Sequence, residues 1–239
     1  MAGLAVGSFA TAVAYRLPRG MPFALERSQC PACGAQIGAR DNIPVISWLL
    51  LRGRARCCGA PISARYPLTE LTVGVLYAAT VTVYRHDAAE AVIGLVFVAM
   101  LAVITLTDLE RRIIPNKALI AGAVICLAIA IPTDPGGIPE RLIAAAAAGG
   151  IFLLVVLAQP RGMGLGDVKL AATMGLFLGR AVAPAILAGL LAGSIVGLTL
   201  IAIRGTEARK MTIPFGPFLA IGGIVGLLVG HHLVHLYLN

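Results

Sequence analysis

The chain reads as an all-α polytopic membrane protein, with about eight transmembrane helices and a Cys-containing cytoplasmic segment between helices 1 and 2. Three observations carry that expectation. Hydrophobic residues make up 59% of the 239 and charged residues 13%, where a soluble domain carries about 25% charged residues. Mean hydropathy is +0.91, and apolar runs near the ~20 residues needed for a helical span recur along the chain. The lysines and arginines fall between these runs, mostly on alternate connections.

The first run, 2–15, is short. It amounts to about 21 Å of helix at 1.5 Å per residue, against a hydrocarbon core about 30 Å thick. A signal peptide is the rival reading, since Ala10-Thr-Ala and Ala12-Val-Ala offer small-residue sites. No basic stretch precedes the run, however, and an Arg-rich segment follows it. A start placed too far downstream would also explain a short span. Segment 16–66 is polar and rich in Pro, Gly, Arg and Cys. The remaining runs are 67–84, 88–107, 117–132, 142–159, 166–179, 182–203 and 213–236. Gly189, Gly193 and Gly197 form one ladder of small residues, and Gly222, Gly226 and Gly230 another; such spacing lets helix backbones approach closely in lipid. Pro214 and Pro217 are expected to break or kink the last span at its start. Cys126 reads as a small mid-span packing residue. His231, His232 and His235 read as an interfacial cluster.

Orientation follows from the positive residues. Segment 16–66 and the connections holding Arg111, Arg112, Lys117, Arg161, Lys169, Arg204, Arg209 and Lys210 carry sixteen Lys/Arg on one side; only Arg85, Arg141 and Arg180 fall on the other. This split selects an even number of spans, with segment 16–66 in the cytoplasm. It argues against a nucleic-acid partner, because the net charge of +8 is spread between spans, where it faces the membrane surface. The expected divisions are 1–15 as the first helix, 16–66 as the cytoplasmic segment and 67–239 as the membrane domain.

Two carboxylates lie at membrane depth, a placement that is expensive and therefore points to function. Asp108 closes one apolar run in Thr105-Leu-Thr-Asp-Leu-Glu-Arg-Arg-Ile-Ile-Pro115, and Asp167 opens another in Gly162-Met-Gly-Leu-Gly-Asp-Val-Lys-Leu170. The orientation, counted from Lys and Arg alone, puts both on the cytoplasmic side. Two acids that share one proton can activate a water and polarise a peptide carbonyl. Gly164 and Gly166 are expected to let the backbone turn sharply and approach a substrate strand or a neighbouring helix. Taken singly, Asp108 reads as an interfacial charge and Asp167 as a helix cap. A proton-coupled transporter, with the two Asp as a relay, is a second class; carriers, however, place such sites near the midplane. A noncatalytic assembly factor is a third. Glu70 could organise the mouth of the site or serve an interfacial structural role, and Lys169 reads as a snorkelling lysine.

Cys30, Cys33, Cys57 and Cys58 lie in the segment expected to face a reducing compartment, where cysteines are more often metal ligands or free thiols than disulfides. Two Cys-x-x-Cys knuckles at this separation would read as a four-sulfur zinc site. Adjacent Cys57 and Cys58 would need a strained backbone to ligate one ion. The alternative is a loop with spare thiols.

The string Gly-Met-Gly-Leu-Gly-Asp-Val-Lys-Leu resembles the signature of type IV prepilin peptidases, intramembrane aspartic peptidases of the Gly-x-Gly-Asp class. The resemblance extends to Gly7-Ser-Phe, Tyr15-Arg-Leu-Pro18, Cys30-Pro-Ala-Cys33, Asp41-Asn-Ile-Pro-Val-Ile-Ser-Trp48, Arg65-Tyr-Pro-Leu-Thr-Glu70, Asp108-Leu-Glu-Arg-Arg-Ile-Ile-Pro-Asn116 and Ile213-Pro-Phe-Gly-Pro217, in order over nearly the whole chain. It implies Asp108 and Asp167 as the catalytic pair and prepilins or pseudopilins as substrates, their basic leaders cut on the cytoplasmic side of the bacterial inner membrane. In many bacterial relatives it also implies N-methylation of the new N-terminus with S-adenosyl-L-methionine, to which Glu70 could contribute. The family usually reads Gly-Arg-Cys-x-x-Cys-Gly where this chain has Gly53-Arg-Ala-Arg-Cys-Cys-Gly59, so Ala55 stands in place of the third cysteine.

Overall fold

In a computed structural model, which describes residues 1–21, 28–160, 163–205 and 213–238, a helix forms at each of the eight apolar runs. Among the described residues no strand forms, and extended pairing is limited to two isolated bridges. The chain divides into two units, Met1–Thr82 and Val83–Asn239.

The first unit begins with α1 (Ala2–Arg16); a short α2 (Ile46–Leu50), not expected from the sequence, follows, and α3 (Arg65–Val83) reaches the unit's end. Helices α1 and α3 touch through small residues. A Cβ on Gly3 would meet Tyr77 Cβ at 2.8 Å, and one on Gly7 would meet the Glu70 Cα at 2.7 Å. Between these helices the polar segment is held by local bonds. The Trp48 indole N–H donates to the Ile62 carbonyl at 3.0 Å, the Ser47 hydroxyl to that of Arg40 at 2.8 Å, and Arg56 pairs with Asp41 at 3.0 Å.

The second unit contains α4 (Ala88–Arg111), α5 (Asn116–Thr133), α6 (Ile138–Ala158), α7 (Leu165–Leu178), α8 (Val182–Arg204) and α9 (Gly216–Leu238). Helix α4 is apolar around most of its circumference, and its Phe97, Val98 and Ile104 are buried, as are Leu170 and Met174 of α7 and Leu219 of α9. It starts at a proper cap, Asp87 accepting the Glu90 N–H at 3.0 Å. The glycine ladders behave largely as expected: a Cβ on Gly222 would fall 2.1 Å from the Ala185 carbonyl oxygen, and one on Gly189 2.9 Å from that of Phe218. Backbones of α8 and α9 therefore touch. Gly197, by contrast, faces open space. Helix α9 starts at Gly216, so Pro214 precedes it and Pro217 sits in its first turn, where proline costs no helical hydrogen bond. Cys126 is fully buried, its thiol 3.8 Å from the Leu176 carbonyl.

Among the described residues, four segments are long and apolar enough to cross a membrane: Ala88–Arg111, Asn116–Thr133, Pro135–Ala158 and Leu165–Arg204; the last joins two of the expected spans, and Gly216–Gly230 is a shorter apolar stretch. Ile120, Ile143, Leu154, Leu157, Leu198 and Ile203 project outward, each 62–74% exposed. Water tolerates such belts poorly, whereas lipid accepts them. Gly162, Arg161, Arg209, Lys210 and the side chains of His231 and His235 lie outside the described residues.

Candidate active site

Asp108 sits in the last turn of α4 and Asp167 in the first turn of α7, and both are buried, at 6% and 9% exposed. Helix α4 stops because Arg112 turns left-handed (φ 55°), its N–H closing on the Asp108 carbonyl at 2.9 Å. Asp167 is the third residue of α7 and makes a reciprocal cap. Its N–H donates to the Gly164 carbonyl at 3.1 Å, and its carboxylate accepts the Gly164 N–H at 3.2 Å. Its anion thus lies at the positive end of that helix.

Two further features level the acids. Phe97 of α4 stacks on Phe177 of α7, ring centroids 4.8 Å apart. Asp108 follows Phe97 by 11 residues, and Asp167 precedes Phe177 by 10. At 1.5 Å per residue these are about 16 Å and about 15 Å, so antiparallel helices pinned at the phenylalanines bring both carboxyl groups to one end.

Gly216 is the residue that sequence reasoning missed. Its N–H, at the start of α9, donates to the Asp108 carboxylate at 2.9 Å, and a Cβ there would sit 2.7 Å from the same oxygen. The only sequence signal was its place inside Ile213-Pro-Phe-Gly-Pro217. The expectation for the glycines before Asp167 needs correction. Gly164 is extended (φ −86°, ψ 152°), a conformation open to any residue, so no sharp turn depends on it. Gly166 matters for closeness instead, because a Cβ would meet the Ile114 side chain at 3.1 Å. Lys169 is exposed, and its ammonium donates to the Asn116 side-chain oxygen at 3.1 Å, tying the start of α7 to the start of α5.

Glu70 belongs to the first unit, where it is buried and accepts the Val45 N–H at 2.7 Å. Val45 has φ 62° and ψ −51°, and the Ile46 N–H closes on the Pro44 carbonyl at 2.6 Å. That is a γ-turn of the strained kind, on a β-branched residue. Glu70 holds this turn.

The four cysteine sulfurs of segment 16–66 come together within 4.8 Å of one another. Cys30 lies 3.7 Å from Cys58, Cys33 3.3 Å from Cys57 and Cys57 3.8 Å from Cys58. Four sulfurs placed tetrahedrally at about 2.3 Å from a zinc ion would be about 3.8 Å apart, so this donor set fits that metal. Two equivalent knuckles build it. In the first, the Gly34 N–H closes on the Cys30 carbonyl at 2.8 Å and the Cys30 N–H on that of Ala35 at 2.8 Å; in the second, Gly59 closes on Ala55 at 2.7 Å and Ala55 on Ala60 at 2.8 Å. Ala55 therefore occupies the position that Cys30 holds in the first knuckle, and Cys57 supplies the missing sulfur. The expected strain at Cys57 and Cys58 is not there. The left-handed residues are Gly34 (φ 73°) and Gly59 (φ 71°), which tolerate it. The N–H groups of Ala32 and then Cys33 hold the Cys30 thiol down to about 6. Hydrogen bonding to Cys33, then burial, pushes Cys57 up to about 12. For Cys58 the Ala60 N–H favours the thiolate, but Cys30 and burial leave it above the usual thiol range.

Long apolar helices, with two buried carboxylates at one end of the second unit, define a polytopic membrane protein. Residues 1–84 match the bacterial peptidase A24 N-terminal domain and residues 95–203 the type IV leader peptidase family. The chain is 36% identical to a prepilin leader peptidase/N-methyltransferase of Aeromonas hydrophila over 230 residues, covering 89% of this chain and 75% of that protein. Its counterpart in Bacillus subtilis (strain 168) is 32% identical over 239 residues, covering 99% and 95%. That in Myxococcus xanthus (strain DK1622) is 35% identical over 214 residues, covering 87% and 64%. No solved structure matches. The chain belongs to the type IV prepilin leader peptidase family. That membership leaves the proton-coupled transporter reading without support.

Proposed function

We propose that this chain is a prepilin leader peptidase in which Asp108 and Asp167 are the catalytic acids. The observation that carries the assignment is the placement of two buried carboxylates, each accepting a backbone N–H, at one end of a single helical unit. One carboxylate takes a proton from a water as its oxygen attacks the scissile carbonyl; the other gives its proton to that carbonyl oxygen. Collapse of the tetrahedral species breaks the C–N bond, and the leaving amine picks up a proton from the pair. The peptide leader carries the new carboxylate, and the mature pilin the new N-terminus.

The polarity of the Lys/Arg distribution supports eight spans, with the acid pair and the cysteine segment facing the cytoplasm across a bacterial inner membrane. Two of the three basic residues assigned to the opposite side are charge-paired, Arg141 with Glu90 and Arg180 with Glu140, which sharpens that asymmetry. Pilin or pseudopilin precursors are the substrates, met in the plane of the lipid. Cys30, Cys33, Cys57 and Cys58 hold a structural zinc that fastens the segment between α1 and α3.

Methylation of the new N-terminus with S-adenosyl-L-methionine is supported by the relatives' names. A cleft of about 610 Å³ lies beside Gly38, Ala39, Arg40, Asp41 and Arg56, a size suited to a small molecule. It offers no aromatic wall for an adenine, and Asp41 is engaged by Arg56. These residues do not by themselves fit the methyl donor.

Co-expression with a prepilin-like substrate tests the acid pair. Asp108→Asn and Asp167→Asn should each insert normally and leave the precursor uncut; full cleavage by either ends the assignment. Mass spectrometry of the mature N-terminus tests methylation, and an unmethylated product with ample donor counts against it.

A further inference from the structure

The end of the second unit opposite the acid pair holds a partly buried ion pair. Arg141 of α6 is 8% exposed, among apolar neighbours, and pairs with Glu90 of α4. Its guanidinium also donates to the Phe177 carbonyl at 2.8 Å and the Leu176 carbonyl at 3.3 Å, the last turn of α7. One side chain therefore joins the far ends of the two helices that carry Asp108 and Asp167.

The need for it follows from length. Helix α7 has 14 residues, about 21 Å, and stops short of a hydrocarbon core about 30 Å thick. Its last carbonyls, which lack helical donors, would end where water is scarce, and unpaired polar groups there are costly. Helix α4 runs on past that point: Glu90 precedes Phe97 by seven residues, two further turns. The guanidinium fills the gap beyond the end of α7, satisfying its carbonyls while Glu90 neutralises the charge. The neighbouring Glu140 holds the same corner, accepting the Arg180 N–H at 3.1 Å. A cation at the negative end of α7 also complements the anion at its start.

We propose that Arg141, held by Glu90, is a positioning residue for the acid pair: it fixes how far α7 slides along α4, and so sets the separation of Asp108 and Asp167. The inference rests on the assignment of those two residues as catalytic. Arg141 does not touch the reacting atoms. It acts through the axial placement of α7, with the Phe97–Phe177 stack as the fulcrum.

The test compares three full-length variants, purified in detergent and assayed for prepilin cleavage across pH. Arg141→Met alone removes the guanidinium from the half-buried Glu90 and from the end of α7, and can fail to fold. Arg141→Met combined with Glu90→Leu removes both charges and keeps the volume apolar, an exchange that is often tolerated. Arg141→Lys keeps the ion pair but loses the forked donation to two carbonyls. A shift of the acid pair by a fraction of an ångström should lower kcat by roughly 10- to 100-fold in the double variant. The loss should be smaller in Arg141→Lys, KM should be unchanged, and the limbs of the pH–rate profile should move because they report the coupled pair. A folded double variant with wild-type kcat and an unmoved pH profile overturns the proposal and shows the pair to be structural only. Cleavage by Asp108→Asn or Asp167→Asn would instead remove the catalytic assignment itself, a result read separately from the Arg141 series.

Discussion

Gly216→Ala is the most direct probe of how α9 meets the acid pair. A Cβ at this position falls 2.7 Å from the Asp108 carboxylate oxygen and 3.2 Å from its carboxyl carbon, whereas ordinary contact begins near 3.4 Å. Either the carboxylate or the start of α9 must therefore give way by about 0.7 Å. The N–H that donates to Asp108 remains in the variant, so the perturbation is one of position. Misplacement by about 1 Å can cost 10²-fold in rate, and overpacking a filled site typically costs about 1–3 kcal/mol of stability. Expected, then, is a protein that folds and binds precursor but cleaves it with kcat lowered by about 10- to 100-fold. Gly197→Ala is the matched control, because nothing lies within 4 Å of a Cβ there; it should cleave normally. The measurement is a single-turnover time course of precursor and product on a gel. Cleavage by Gly216→Ala at the rate of the Gly197→Ala control would refute the view that α9 fixes the position of Asp108.

Other outcomes follow from the first unit. Cys57→Ser should lose bound zinc, measured by elemental analysis, and Ala55→Cys added to that variant should restore it, since Ala55 stands where Cys30 stands in the other knuckle. Failure of the rescue would mean that Ala55 is not at the ligand position. Zinc uptake at neutral pH should release protons, recorded with an indicator dye, because the Cys57 thiol (pushed up to about 12) must ionise, while Cys30 (held down to about 6) is already a thiolate. Val45→Gly should relieve about 1–3 kcal/mol of backbone strain, and Glu70→Ala should loosen the turn by about 1.5–3 kcal/mol. Limited proteolysis between residues 39 and 48 should slow in the first variant and quicken in the second.

The apolar runs located every long helix because lipid exposure writes hydropathy directly into sequence, and the edges of α4, α6 and α8 fell within a few residues of the runs. Asp108 and Asp167 were legible for the same reason: a charge stands out against such a background. Gly216 and Arg141 were not. Gly216 acts on a carboxylate 108 residues away, and no local pattern shows that a missing side chain is making room. Arg141 read only as one of three basic residues on the sparse side, since the sequence does not reveal that α7 ends beside it. A lone Arg at the start of one apolar run and a lone Glu at the start of another was the available signal. The strained turn at Val45 was invisible because valine is among the residues least expected there.

The two knuckles coincide when the chain is shifted by 25 residues, Cys30 falling on Ala55, Cys33 on Cys58 and Gly34 on Gly59. Each is closed by its own backbone hydrogen bonds, so the corner forms whether Cys or Ala occupies its first position. A thiol can therefore be surrendered at one point of the loop and regained two residues along without reshaping the scaffold. Ligand identity in this segment is free to drift while four sulfurs still converge, and a search that insists on fixed cysteine spacing would pass over such chains.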